Sequence, residues 1–447
     1  MRQIRYTLRL LTAFLRKFKK LLFGSALLGI LFFILLSTAR DLFPALRTTE
    51  AIGVVGRFSV EDLPLSILTQ ISPGLTKLDS SNNVLPGLAL SWESTDNGKS
   101  WIFRLRDAKW QDGKKINARD INYNFSDVTR EVVDDQTVKF VLKDPFAPFP
   151  AVVARPVFKR GLLGTAEWKV DKINYISGNY VQNLKMTNIA SGQKKIYKFY
   201  PSEETARTAF KLGEVSALED LVDPKDLLSW KGVQITESVR RDRYVGVFLN
   251  NSDNLLVDKS IRQALAYAID KEALGKDRAI GPTSPDSWAF NPQVKPYSYS
   301  PDRAKELINT ALPKDQHDKL AVTLVTTPSL LPIADKIKPY WEAVGVKTDV
   351  QVTSALPQNF QALLAIQEIP ADPDQYSLWH STQTTTNITN YRNTKESQRI
   401  DKLLEDGRKT LDQEARKKIY LDFQRFLVED SPVIFLFHPS TYTITRK

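Results

Sequence analysis

Eleven consecutive residues, Asp372-Pro-Asp-Gln-Tyr-Ser-Leu-Trp-His-Ser-Thr382, gather two carboxylates, two aromatic rings and a histidine. Asp372 and Asp374 are the right groups to hold a cationic partner. Tyr376 and Trp379 can flank a bound molecule by packing or by cation–π contact. His380 adds a polar ring, but no nucleophile or second metal ligand stands at a paired spacing beside it. The bland reading of the same residues is a turn at Asp372-Pro373 and a core position for Trp379, and both readings stay open. Loops held on a rigid scaffold are where binding residues collect, so the elements around this stretch matter.

Covalent chemistry has little to work with. The 447 residues contain no cysteine, which removes thiol catalysis, zinc–thiolate sites, disulfides and a lipidated cysteine anchor. The three histidines, His317, His380 and His438, are far apart, so no histidine metal cluster is expected. G-x-S-x-G, H-E-x-x-H and P-loop patterns are absent. The expectation is a protein that is not an enzyme and uses no cofactor or metal. The formal net charge is +11, but Arg2, Arg5, Arg9, Arg16, Lys17, Lys19 and Lys20 carry seven of those charges before any acid appears. No long basic run remains, so no nucleic-acid partner is expected.

That basic segment, residues 1–20, precedes Leu21–Ala39, an uncharged apolar run of 19 residues. Its length suits a helix crossing a bilayer, and the positive-inside rule leaves residues 1–20 in the cytoplasm. A cleaved signal peptide is the competing reading, although the run exceeds the usual apolar core of about 7–15 residues. Either reading exports the rest of the chain, through a spacer at 40–49.

Strands and helices then alternate. Ala51–Val55 reads as a buried strand. Trp101, Phe103 and Leu105 alternate with polar residues between the turns Asp96-Asn-Gly98 and Gln111-Asp-Gly113. Asn117–Asp120 reads as a helix cap, and Thr137–Leu142 as another strand. Helical periodicity begins at Glu204 and stops at Gly213. It returns at Ile261, after the Ser300-Pro301 cap, from Ile400 to a break at Gly407, and from Ala415 to Leu427. Val433–Phe437 reads as a buried strand. The interleaving indicates a mixed α/β architecture.

Several ordered stretches carry a family likeness. They are Gly74–Asp79, Leu85–Gly98, Trp101–Arg106, Trp110-Gln-Asp-Gly113, Ala118-Arg-Asp120, Thr137–Pro145, Ala209–Val215 and Val257–Asp270. Asp372-Pro-Asp374, Asn390-Tyr391, Ala415–Tyr420 and Glu429–Ile434 follow. This series resembles the family 5 extracellular solute-binding proteins of ABC transporters, the oligopeptide-, dipeptide- and nickel-binding group. The resemblance implies a two-lobed, type II periplasmic-binding-protein-like α/β fold after one N-terminal transmembrane helix. Lobe I would comprise 50–74, 161–245 and 433–447, with an inserted subdomain at 75–160, and lobe II 246–432. It implies a monomeric, membrane-anchored subunit that traps a peptide or other small ligand in an interlobe cleft and hands it to ABC permease subunits. A peptide-sensing receptor or scaffold and an extracytoplasmic hydrolase are the alternatives.

Three departures from the family pattern stand out. The chain is short between Phe125 and Val132. Gly164-Thr-Ala166 with Trp168 replaces a Gly-Thr-Gly-Pro-Tyr motif, where a strand is expected. Peptide binders of the family place an ammonium-binding aspartate three residues before the Asp-Pro pair, and that position here is Ile369. Its neighbour Glu368 is a substitute candidate, although a one-residue offset reverses the face on a strand. Pro285–Phe290 resembles a loop near the family's cleft and adds Trp288. The candidate ligand-binding set is therefore Trp288, Glu368, Asp372, Asp374, Tyr376, Trp379 and His380.

Overall fold

The computed structural model describes residues 17–20, 24–25, 27–33, 49–313, 320–355, 357 and 359–447. Two compact units emerge, one from Met1–Val60 and Glu167–Ala217, the other from Glu61–Ala166 and Leu218–Lys447. Most of the expected transmembrane run lies outside the described residues, as does His317. Gly24–Ser25 and Leu27–Phe33 are helical, with Leu28 72% and Phe33 73% exposed. Among the described residues, no helix is long and apolar enough to cross a membrane.

The first unit opens with β1 (Glu50–Val55), whose Ile52 and Val54 are buried. The chain then enters the second unit with α1 (Leu65–Ile71), the ribbon β2 (Thr76–Leu78) and β3 (Val84–Pro86), and β4 (Ala89–Ser94). β5 (Ser100–Leu105), β6 (Val128–Asp134) and β7 (Thr137–Leu142) complete an antiparallel sheet in the order β4-β5-β7-β6. Trp101, Phe103 and Leu105 point into its core, as their alternation requires. Phe103, Phe140 and Phe149 pack together there, and the Trp110 indole N–H donates to Asp120 at 2.9 Å. Asn117 caps a single turn of 3₁₀-helix at Ala118–Asp120. The short stretch after Phe125 is occupied by β6.

The expected strand at Gly164–Ala166 is not formed; the chain bends there and pairing begins at Trp168. A Cβ on Gly164 would lie 2.0 Å from the Ile71 carbonyl oxygen, so the backbone runs too close to α1 for a side chain. The first unit then resumes with β8 (Trp168–Ile176), β9 (Tyr180–Asn188) and β10 (Lys194–Tyr200), an antiparallel meander in which β10 pairs in parallel with β1. α2 (Glu203–Leu212), capped by Ser202, buries Ala206, Ala209 and Phe210.

The chain passes into the second unit at β11 (Ala217–Leu221), followed by β12 (Val233–Val239) and β13 (Arg243–Leu249), which is buried along nearly its whole length. Helices α3 (Lys259–Ala268) and α4 (Pro301–Ala311) lead to β14 (Ala321–Thr326), α5 (Leu331–Glu342), β15 (Lys347–Val352) and β16 (Ala362–Glu368). α6 (Lys395–Lys409) and α7 (Gln413–Asp430) follow, then β17 (Val433–Phe437) and β18 (Ser440–Arg446). The mixed sheet runs β15-β14-β16-β13-β17, and β12 pairs with β18. α6 does not break at Gly407 as its sequence leads one to expect. Gly407 sits inside the helix because the Tyr420 ring of α7 comes within 2.7 Å of where its Cβ would be. Here the glycine serves close helix packing rather than a turn.

Candidate functional site

The 372–380 segment, expected as a loop, leaves β16, turns through a single helical turn at Tyr376–Trp379, and lies against the ends of α6 and α7. Asp372 binds Arg416 of α7 through two contacts, 2.7 Å from Nη2 and 3.1 Å from Nη1. Asp374 accepts from Nε of Arg408, near the end of α6, at 2.9 Å. The loop backbone is tied to the same acids: the Asp374 N–H donates to Asp372 at 3.0 Å, and the Tyr376 N–H to Asp374 at 3.2 Å. Both expected cation holders are therefore already occupied by the chain's own arginines. Burial pushes the Asp374 carboxyl above its ordinary value, with Arg408 opposing the shift. Burial works against the Arg416 charge, yet Asp372 more than compensates and the guanidinium holds its proton more tightly than usual.

Each of the two arginines also lies against aromatic rings. The Arg408 guanidinium lies 3.9 Å from the Tyr376 ring centre and 5.2 Å from that of Phe146. The Arg416 guanidinium lies 5.5 Å from the Trp288 ring centre. Trp288, Tyr376 and Phe146 are each half-buried. His380 is buried and stacks on Tyr376 at 3.9 Å. Its Nδ1 meets the Thr382 hydroxyl at 2.8 Å and its Nε2 meets Glu405 at 3.3 Å. The Ser381 hydroxyl donates to Asp401, not to the imidazole, so no serine–histidine relay is assembled.

Two candidates lie outside this group. Trp379 is 2% exposed, part of the core, with its indole N–H donating to Gln375 at 2.8 Å. Glu368, at the end of β16, has a side chain 79% exposed and meets Arg243 at 3.7 Å. Ile369 is buried. The alternation across the strand end puts the two neighbours in opposite environments. Arg408, Arg416 and Gln375 were not singled out from sequence. The available signal was Arg416's place inside the family-like stretch Ala415–Tyr420.

Backbone contacts from the 79–147 stretch reach this group within the same unit. The Trp288 N–H donates to the Ser81 carbonyl at 3.0 Å, and the Ala147 N–H donates to the Arg408 carbonyl at 2.7 Å. Gln413 adds a side-chain bond to Asn83 at 2.9 Å. A separate depression of about 540 Å³ lies at the opposite end of β16, lined by Asn250, Asp253, Thr323, Gln351 and Gln361 among others. Gln361 there already bridges the Thr323 N–H and Asp253. Among the described residues, no group of three or more acids or histidines is placed to hold a metal ion.

The family model for bacterial extracellular solute-binding proteins, family 5, matches residues 83–183 and 186–390. The oligopeptide-binding protein AppA of Bacillus subtilis is 24% identical over 86% of this chain and 84% of its own. Among solved structures, NikZ from Campylobacter jejuni in complex with Ni(L-His) superposes with a TM-score of 0.71 at 23% identity, covering 89% of this chain and 94% of that one. AppA from Bacillus subtilis in complex with a nonapeptide gives 0.67 at 20% identity, with 89% and 95% covered. The mixed α/β architecture of periplasmic binding proteins is thus common to all of them.

Proposed function

The chain belongs to the family 5 bacterial extracellular solute-binding proteins, and we propose that it captures a peptide or similar small ligand for an ABC importer. The family match along most of the exported sequence is the observation that carries this reading. Binding would proceed without covalent change. The ligand favours whichever conformation it contacts better, and permease subunits respond to that conformation. Residues 21–39 would tether a monomeric binding module outside the membrane, with residues 1–20 in the cytoplasm.

The half-buried rings of Trp288, Tyr376 and Phe146 are the ligand wall we favour. They border a polar group whose charges are already paired, which matches the usual makeup of small-molecule sites: apolar surface with a few fixed polar anchors. An ammonium clamp built on Asp372 or Asp374 has little support, because a ligand would first have to displace Arg416 or Arg408. Glu368 is accessible on the end of β16, where its carboxylate meets Arg243 rather than an aromatic ring.

The test is native mass spectrometry of the whole chain purified in detergent, with thermal shifts against peptide pools and nickel–chelate mixtures. A ligand recovered chemically unchanged, or a melting shift with one pool, supports the reading, since a ligand that binds only the folded state stabilises it. Turnover of the ligand would contradict it.

A further inference from the structure

The meander β8–β10 of the first unit carries six lysines and, between its ends, one acid, Asp171. The register aligns them in rows. Lys169 stands opposite Thr187, which stands opposite Lys194; Lys172 opposite Lys185, opposite Ile196; Asn174 opposite Asn183, opposite Lys198. Side chains alternate across a sheet, and an irregularity between Val170 and Lys172 keeps Lys169 and Lys172 in rows of the same face. The other face is core, with Leu184, Met186 and Tyr197 buried. Five lysines therefore share the outward face. Lys195 belongs to the inner rows and pairs with Glu50. Among the described residues, Lys169, Lys172, Lys185 and Lys194 have no carboxylate within ion-pair distance.

Lys172 directly opposite Lys185 is an unfavourable cross-strand pair. The Asp171 carboxylate reaches this face, where the Thr187 hydroxyl donates to it at 2.6 Å, and it forms no ion pair with either lysine; an anionic surface against the sheet would offset the repulsion. The tip of the same β8–β9 hairpin is apolar: Tyr175, Ile176 and Tyr180 are 52%, 46% and 38% exposed around the turn Ser177–Asn179. Exposed tyrosines and an isoleucine beside a lysine-rich face have the composition of a contact with a membrane interface. Ten residues, 40–49, separate the apolar run from β1, and that many span at most about 35 Å. We propose that this lysine face docks on an anionic phospholipid bilayer, with Tyr175, Ile176 and Tyr180 entering the headgroup layer. The proposal builds on residues 21–39 as the tether that keeps the unit close.

The absence of cysteine allows a single probe. Ser177→Cys in the whole chain, labelled with an environment-sensitive fluorophore, is reconstituted with vesicles of phosphatidylcholine alone or mixed with phosphatidylglycerol. Docking predicts a blue shift, and quenching by spin-labelled lipid, only in the anionic vesicles and weaker at high salt. Each lysine should be worth roughly five-fold in the docked ratio, so K169Q/K172Q/K185Q/K194Q should abolish the shift without lowering the melting temperature. Flotation on neutral vesicles reads the tether separately. A chain that floats but shows no anionic shift overturns docking and leaves the tether. One that fails to float on neutral vesicles yet shows the shift on anionic ones overturns the tether and leaves docking. Neither signal overturns both, and a shift that survives the four substitutions overturns docking through the lysines.

Discussion

Arg416 grips Asp372 through both terminal guanidinium nitrogens, at 2.7 and 3.1 Å, while its Nε donates to the Gly407 carbonyl at 3.0 Å. One residue of α7 thereby fixes the loop after β16 and the end of α6. An acid that sequence alone presents as a ligand anchor is paired here with an arginine of the same unit.

Removing Arg416 should therefore cost stability. Arg416→Met leaves Asp372 without its partner, and breaking a largely buried pair costs about 3 kcal/mol. Urea denaturation should show that loss, and adding Asp372→Asn should recover part of it. A single variant as stable as the parent would mean the pair is not structural.

Trp379 should behave as core rather than as a binding residue. Trp379→Ala empties a buried site and leaves Gln375 short of a donor, for a loss of about 3–5 kcal/mol. Ligand affinity per folded molecule should hold. A large affinity loss with unchanged stability would return Trp379 to the ligand wall.

Trp288 and Tyr376 should do the opposite. Alanine at either removes an exposed part of the proposed wall and should weaken binding roughly ten-fold, about 1.4 kcal/mol, as measured by titration calorimetry. Glu368→Ala, which removes a carboxylate that meets Arg243, should leave affinity within error. The reverse ranking would move the site to the end of β16.

His438 should make stability fall in mild acid. Burial lowers its pKa from 6.5, against the hydrogen bond of Nδ1 to the Arg243 carbonyl at 2.7 Å. The unfolded chain then binds the proton first, so stability is full above the unfolded pKa and declines as pH drops from about 7 toward the lower folded value. The parent should lose more over that window than His438→Gln. Parallel curves would show that His438 does not titrate differently on folding.

Much of the fold was legible because period and caps agree. The alternation of Trp101, Phe103 and Leu105 gave β5, Ser300-Pro301 gave the start of α4, and Val433–Phe437 gave β17. The misses came from tertiary approach, which local pattern does not encode. Gly407 looked like a helix stop but makes room for Tyr420, and Gly164 looked like strand but backs onto α1. The segment after β16 stands out in the sequence by its composition. Its partners Arg408 and Arg416 lie 34 and 44 residues away in sequence from Asp374 and Asp372, on helices where an arginine ordinarily reads as solvated surface.

On the proposed reading, a peptide-like ligand is captured reversibly and without an aspartate clamp. The most direct test is calorimetric titration of the whole chain with one peptide identified by native mass spectrometry, alongside the same peptide with a blocked amino terminus. Binding should be saturable, with the ligand recovered intact and similar affinity for both forms. Loss of binding on blocking the amino terminus, together with equal loss in Asp372→Asn or Asp374→Asn, would contradict it.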